Sequence, residues 1–163
     1  MPSPIGHALG GLIVGEFLTP SALLLCAMAG VAPDVDFLWG GHNRQTHSLG
    51  AAIIAGLAVF AWKRDRRLAL AVTLSWASHV LFDWLGSDDT PPLGVMALWP
   101  LNANFYFADA YVFEAISRRY WLDNFYTHNA WAVAREVLIL GPVALLAWWF
   151  RHRSLRRRAP EVP

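Results

Sequence analysis

The sequence predicts an all-α fold, a polytopic membrane helical bundle with about three full spans, an N-terminal helical hairpin and interfacial helices. Three observations carry that prediction. The 163-residue chain is 56% hydrophobic with 9 Trp, and its mean hydropathy of +0.35 lies outside the usual soluble range. Its apolar residues fall into five segments, at about 5–18, 21–32, 48–62, 68–85 and 134–150. Although the net charge is only +1, the basic residues gather in KRDRR (63–67) and RHRSLRRR (151–158), and such clusters flank membrane spans on the cytoplasmic side.

The first two segments are short, and Thr19-Pro20 between them suits a hairpin turn in which Pro opens the second helix. A full span takes roughly 20 residues, about 17 at the short end. Segments 68–85 and 134–150 meet this, and 48–62 does when Trp62 and the stem of Lys63 extend it. MPSPIGHALGG has neither a basic n-region nor a cleavage pattern, so the first apolar segment is expected to stay in the mature protein. The single cysteine, Cys26, excludes a disulfide framework and a CxxC zinc site, and reads as packing. Residues 1–150 are expected to form one membrane-embedded domain. Residues 151–163 then form a basic cytoplasmic tail; a nucleic-acid-binding arm fits less well because the run directly follows VALLAWWF. The aromatic stretch 100–133 suits the headgroup zone, either as one or two interfacial helices or as an ordinary aromatic belt.

Placing both basic runs in the cytoplasm makes 48–62 enter, 68–85 exit and 134–150 enter again. The loop 33–47 and the stretch 86–133 then share the opposite face. SHVLFD (78–83) sets His79 and Asp83 one helical turn apart on one face, near that side. An aspartate inside a membrane helix is costly, so an unpartnered one tends to be functional. A histidine nitrogen and a carboxylate oxygen can bind one cation; a plain His–Asp hydrogen bond is the competing reading.

APDVDF follows the second segment directly, and in an extended backbone Asp34 and Asp36 would face one centre. As an alternative, they are turn formers at a helix end. HNRQTHS adds His42 and His47, with Thr46 or Ser48 available to cap the third helix. With His7, four of the six histidines and three aspartates converge on one face, which favours a metal site over packing. Glu136, beside Arg135, reads as an ion pair more readily than as a ligand, while Asp88 and Asp89 read as loop residues.

This order of motifs resembles a known family: His in MPSPIGHALGG, then PDVD, HNRQTHS, HVLFD and GVMALWP. It is similar to the YdjM-like, inner-membrane-associated metal-dependent hydrolases, and the matching motifs span residues 7 to 100. The resemblance implies a distant relationship to zinc-dependent phospholipase C and P1-type nucleases, helical proteins with His and Asp around several zinc ions. Carried over, it makes His7, Asp36, His47, His79 and Asp83 metal ligands, joined by Asp34 and His42, around one to three zinc ions. The family commonly has Arg directly after the first His of its loop motif, whereas Asn43 intervenes here before Arg44. The soluble relatives also use ligands towards the C-terminus, where only His128 and Glu136 are available.

The expectation is therefore a zinc-dependent phosphoesterase in a bacterial or archaeal inner membrane, with its C-terminus cytoplasmic and no nucleic-acid partner. Zinc lowers the pKa of water to about 7. Asp34 or Asp36 would take a proton from that water, and Arg44 would hold a phosphate oxygen. A membrane lipid or lipid-linked phosphate is the expected substrate. The competing classes are a non-catalytic protein with a structural or partner-binding metal site, and a cation or proton pathway, which would spread its ligands through the depth of the bundle.

Overall fold

The computed structural model describes residues 1–39, 42–89 and 91–158; the last part of the expected tail, 159–163, lies outside them. Among these residues the fold is all-helical, with five α-helices and no strand. Helix α1 (Pro4–Leu18) starts where the Ser3 hydroxyl accepts from the Gly6 N–H and Pro4 occupies the first turn, the position where its missing N–H costs nothing. It ends at Thr19, a 3₁₀ turn follows at Pro20–Ala22, and α2 (Leu23–Val31) runs back against α1. The expected hairpin at Thr19-Pro20 is present. Its two arms touch backbone to backbone: a Cβ on Gly11 would stand 2.1 Å from the Cys26 carbonyl oxygen, and one on Gly30 would stand 2.4 Å from that of His7.

After α2 the chain tightens into a 3₁₀ helix, Ala32–Trp39, in place of the extended segment expected at APDVDF. Helix α3 (Leu49–Lys63) is capped by Ser48, whose hydroxyl accepts from the Ala51 N–H. It ends on Arg64 in the left-handed region, and Asp65 caps α4 (Arg66–Trp84). Helix α5 (Phe125–Arg158) starts well before the apolar run that predicted it.

Two stretches are long and apolar enough to cross a membrane, Pro20–Leu38 and Phe125–Ser154. Three full spans at 48–62, 68–85 and 134–150 are thus not established. Of these only the last coincides with a candidate span. Helix α3 has 15 residues, and α4, with 19, carries Arg66, Arg67 and Asp83.

No interfacial helix forms over 100–124; the described chain from Gly86 to Asn124 is irregular. It is held by backbone bonds to the ends of the bundle, including Leu49 N–H to Ala97 O at 2.9 Å and Val112 N–H to Leu85 O at 2.8 Å. Those bonds satisfy backbone groups that a helix would have paired internally. Tyr120, Trp121, Tyr126 and Trp131 stay exposed around it, as an aromatic belt would.

The sides of the bundle reverse the order of a water-soluble protein. Leu24, Met28, Ile53, Leu57, Leu138 and Leu146 are exposed, while His7, Asp36, His47, His79, Asp83 and Glu136 are buried. A continuous apolar exterior of this kind marks a surface that meets lipid or a partner. The helix directions follow from three side-chain contacts. His7 of α1 meets Asp83 near the end of α4, Ser3 meets Glu136 early in α5, and Glu16 at the other end of α1 pairs with Arg151 at 2.7 Å. The α3–α4 turn and Arg151 therefore lie at one end and the buried histidines at the other. Along α4 the two ends are about 25 Å apart at 1.5 Å per residue.

Candidate metal centre

Four elements build the cluster. Helix α1 supplies His7, the 3₁₀ helix supplies Asp34 and Asp36, the loop before α3 supplies His42 and His47, and α4 supplies His79 and Asp83. The i, i+4 spacing in α4 places His79 Nε2 2.9 Å from Asp83 Oδ2. Around that pair, His7 Nε2 stands 3.3 Å from Asp83 Oδ1, and His47 Nε2 stands 3.4 Å from Asp83 Oδ2. Asp34 Oδ1 closes the group at 3.6 Å from His47 Nε2 and 3.7 Å from His79 Nε2. The rings of His7 and His79 stack with centroids 3.7 Å apart. Every site residue expected from the sequence except Arg44 belongs to this assembly.

The imidazole partners set which nitrogen is free. His79 Nδ1 lies 2.8 Å from the Gly30 carbonyl oxygen, which can only accept, so Nδ1 carries a hydrogen and Nε2 is turned to Asp83. His47 Nδ1 lies between Thr46 Oγ1 at 3.1 Å and Asp36 Oδ2 at 3.2 Å, again leaving Nε2 for the centre. Asp36 also accepts from the Thr46 hydroxyl at 2.7 Å and from His42 Nδ1–H at 2.9 Å. It therefore stands behind the histidines and orients them, as carboxylates behind metal-bound imidazoles do. Asp34 and Asp36 reach His47 from two sides because residues two apart in a 3₁₀ helix differ by about 240°.

What remains at the centre is a set of buried polar atoms that the surrounding protein does not pair. Both oxygens of Asp83, Nε2 of His47 and Nε2 of His79 are buried there without a hydrogen-bond partner. A buried carboxylate facing imidazole lone pairs is strongly unfavourable unless a positive charge lies between them. Ligand atoms bound tetrahedrally at about 2.0–2.1 Å are about 3.3 Å apart, and the separations above bracket that value. Two groups meet the requirement for a metal ion, His7–His79–Asp83 and Asp34–His42–His47, each with its ligand atoms within 4.8 Å of one another. The cluster can hold a metal ion. Burial works against a charged His47, but the carboxylates of Asp34 and Asp36 outweigh it and push its pKa up to about 9. The same demand for positive charge is then met by a proton.

The other sequence candidates serve elsewhere. Glu136 is neither a ligand nor a partner of Arg135. Its carboxylate accepts from the Ser3 N–H at 2.6 Å and from the Ser3 hydroxyl, at the positive end of α1. Arg135 instead pairs with Glu114 at 3.7 Å. His128 Nε2–H donates to the Ala115 carbonyl at 2.8 Å. Cys26 is fully buried, as packing requires. Arg44 is exposed, and among the described contacts its side chain reaches no member of the cluster.

Outside the cluster a pocket of about 710 Å³ opens, with Asp34 and His42 on its inner wall and Asn43, Ser117 and Arg118 around it. Sequence reasoning missed Arg118, which lies in an irregular segment far along the chain from the loop of His42 and His47. It also missed the Gly30 carbonyl, because backbone acceptors leave no mark in a sequence. No family model, curated protein or solved structure matches this chain.

Proposed function

We propose that this protein is a membrane-embedded, metal-dependent hydrolase that cleaves a phosphoester at the non-cytoplasmic face of a bacterial or archaeal inner membrane, zinc being the metal and a phospholipid or lipid-linked phosphate the substrate. The observation that carries the reading is Asp83, fully buried among three imidazoles with both oxygens unpartnered, beside a pocket open to the same end of the bundle. The apolar exterior and the exposed aromatic residues at that end favour an amphiphilic substrate. The motif order shared with YdjM-like proteins supports the same class.

His7, His47, His79, Asp83 and Asp34 are the residues that would hold the metal, with His42 at the pocket edge. A divalent ion bound there supplies a Lewis acid that acidifies water and polarises an ester oxygen. Asp34 is the least buried carboxylate of the cluster and lines the pocket, so it is placed to take a proton from entering water. Asp36 positions His42 and His47 and has no oxygen left for that task.

The test is elemental analysis of the purified full chain beside His79→Ala, together with turnover of bis(p-nitrophenyl) phosphate. The reading expects at least one metal equivalent, lost in His79→Ala, and hydrolysis that a chelator abolishes and added zinc restores. Metal without turnover of any ester would assign the cluster a structural or partner-binding role. A metal-free protein would remove both.

A further inference from the structure

The pocket beside the cluster contains four carboxylates, and each is engaged. Asp34 belongs to the cluster, Asp89 pairs with Arg119 at 3.3 Å, Glu114 pairs with Arg135 at 3.7 Å, and Asp88 accepts from the Gly94 N–H at 2.8 Å. Arg118 is differently placed. Among the described residues it makes no ion pair and no side-chain hydrogen bond, and its guanidinium lies over the Phe37 ring with Cζ 3.9 Å from the centroid. Phe37 stacks in turn on His42 at 3.8 Å, and His42 donates to Asp36. One column thus connects Arg118 through Phe37 and His42 to the carboxylate that orients His47.

Stacking uses one face of a guanidinium and leaves its in-plane N–H donors open, in the fork that fits two oxygens of a phosphate. Contact with the ring also restrains the side chain, so less freedom is lost when a ligand binds. Arg44, the basic residue next to the loop histidines in sequence, does not line the pocket.

We infer that Arg118, held against the Phe37 ring, is the anion-binding residue of the pocket and selects substrates carrying a phosphate or phosphodiester oxyanion. This rests on the proposed hydrolytic role of the same site and specifies which esters it admits. The ligand is a phosphate oxyanion whether it comes from a lipid head group or from a soluble ester.

The experiment uses the metal-loaded full chain in detergent and two readouts. The first is the dissociation constant for inorganic phosphate by calorimetry. Arg118→Ala should weaken it by about tenfold or more, Arg118→Lys should recover part of the loss, and Arg44→Ala should leave it unchanged. Metal content should stay at the wild-type level in all three. The second readout is turnover: Arg118→Ala should raise KM for a phosphodiester about tenfold with kcat little changed, and leave a neutral carboxylic ester unaffected.

Unchanged phosphate affinity in Arg118→Ala, or an equal loss in Arg44→Ala, overturns the inference. Turnover that persists with an unaltered KM in Arg118→Ala overturns it while leaving the hydrolytic reading intact. Arg118-dependent phosphate binding without hydrolysis of any ester does the reverse. Displacement of bound phosphate by short-chain phosphatidylglycerol micelles, at concentrations where glycerol phosphate has no effect, assigns the oxyanion to a lipid; the opposite order assigns it to a soluble ester. Either order upholds the subsite.

Discussion

At the scale of single residues, two buried acids show how location determines role. Asp83 and Glu136 are both removed from solvent, but Glu136 meets the Ser3 N–H and hydroxyl at a helix N-terminus while Asp83 meets the ring nitrogens of three histidines and accepts no hydrogen bond. Only Asp83 demands a cation. Asp36 is a third case, with its oxygens occupied by Thr46, His42 and His47. Its removal should weaken the metal site without abolishing it, since substitutions behind metal-bound histidines cost about 10–100-fold in affinity. Asp36→Asn should show that loss in a zinc competition titration, whereas Asp83→Asn should bind no metal at the same concentrations. The titration also has a pH signature. In the metal-free site the carboxylates around His47 raise its pKa to about 9, so the stabilisation its proton gives is complete below about 6.5 and is lost as pH rises from there through about 9. Metal must displace that proton; apparent affinity in wild type should therefore climb with pH and level off near that value, and Asp36→Asn should reach its plateau earlier.

Among the elements, the contact of α1 with α2 does most to place the ligands. Gly30 allows α2 to lie against the His7 carbonyl, and its own carbonyl orients His79 on α4. One glycine thereby links three helices at the metal end. Helix α5 contributes none of the candidate ligands, and it meets the α1 region through Glu136 at the buried-histidine end and through Arg151 at the other. Replacing Glu136 by alanine would leave the Ser3 donors buried and unpaired, at a cost of about 1–3 kcal/mol. Glu136→Ala should therefore lower the thermal midpoint in detergent yet retain the metal of the wild type. Loss of metal with an unchanged midpoint would instead make Glu136 a ligand.

For the whole molecule, the helices satisfy their own backbones while the buried end depends on a positive charge. An ion held at a thousand times its dissociation constant stabilises the fold by about 4 kcal/mol. For a chain of this size that corresponds to a thermal midpoint about 10 °C higher. Chelation should produce that drop with the far-ultraviolet helical signal intact at room temperature, and zinc should reverse it. A chelated protein with an unshifted midpoint would mean that protons alone compensate the cluster.

Much of this was legible in the chain. Hydrophobic runs and the Thr19-Pro20 break predicted the helices and the hairpin, because those signals are local and follow from backbone geometry. The histidines and aspartates were recognisable because lipid-compatible segments rarely carry them without cause. The backbone between them was less legible: APDVDF is 3₁₀ and 100–124 has no helix, since both are shaped by bonds to distant partners. The division has a physical basis. The sequence by itself determined which side chains can ligate and that helices would carry His7, His79 and Asp83. Only tertiary packing decided that Asp83 meets His7 and His47 while Asp36 is taken up by its own loop, that Glu136 holds Ser3, and that Arg118 lies over Phe37, because these contacts bring atoms within 4 Å of one another that no local backbone pattern places together.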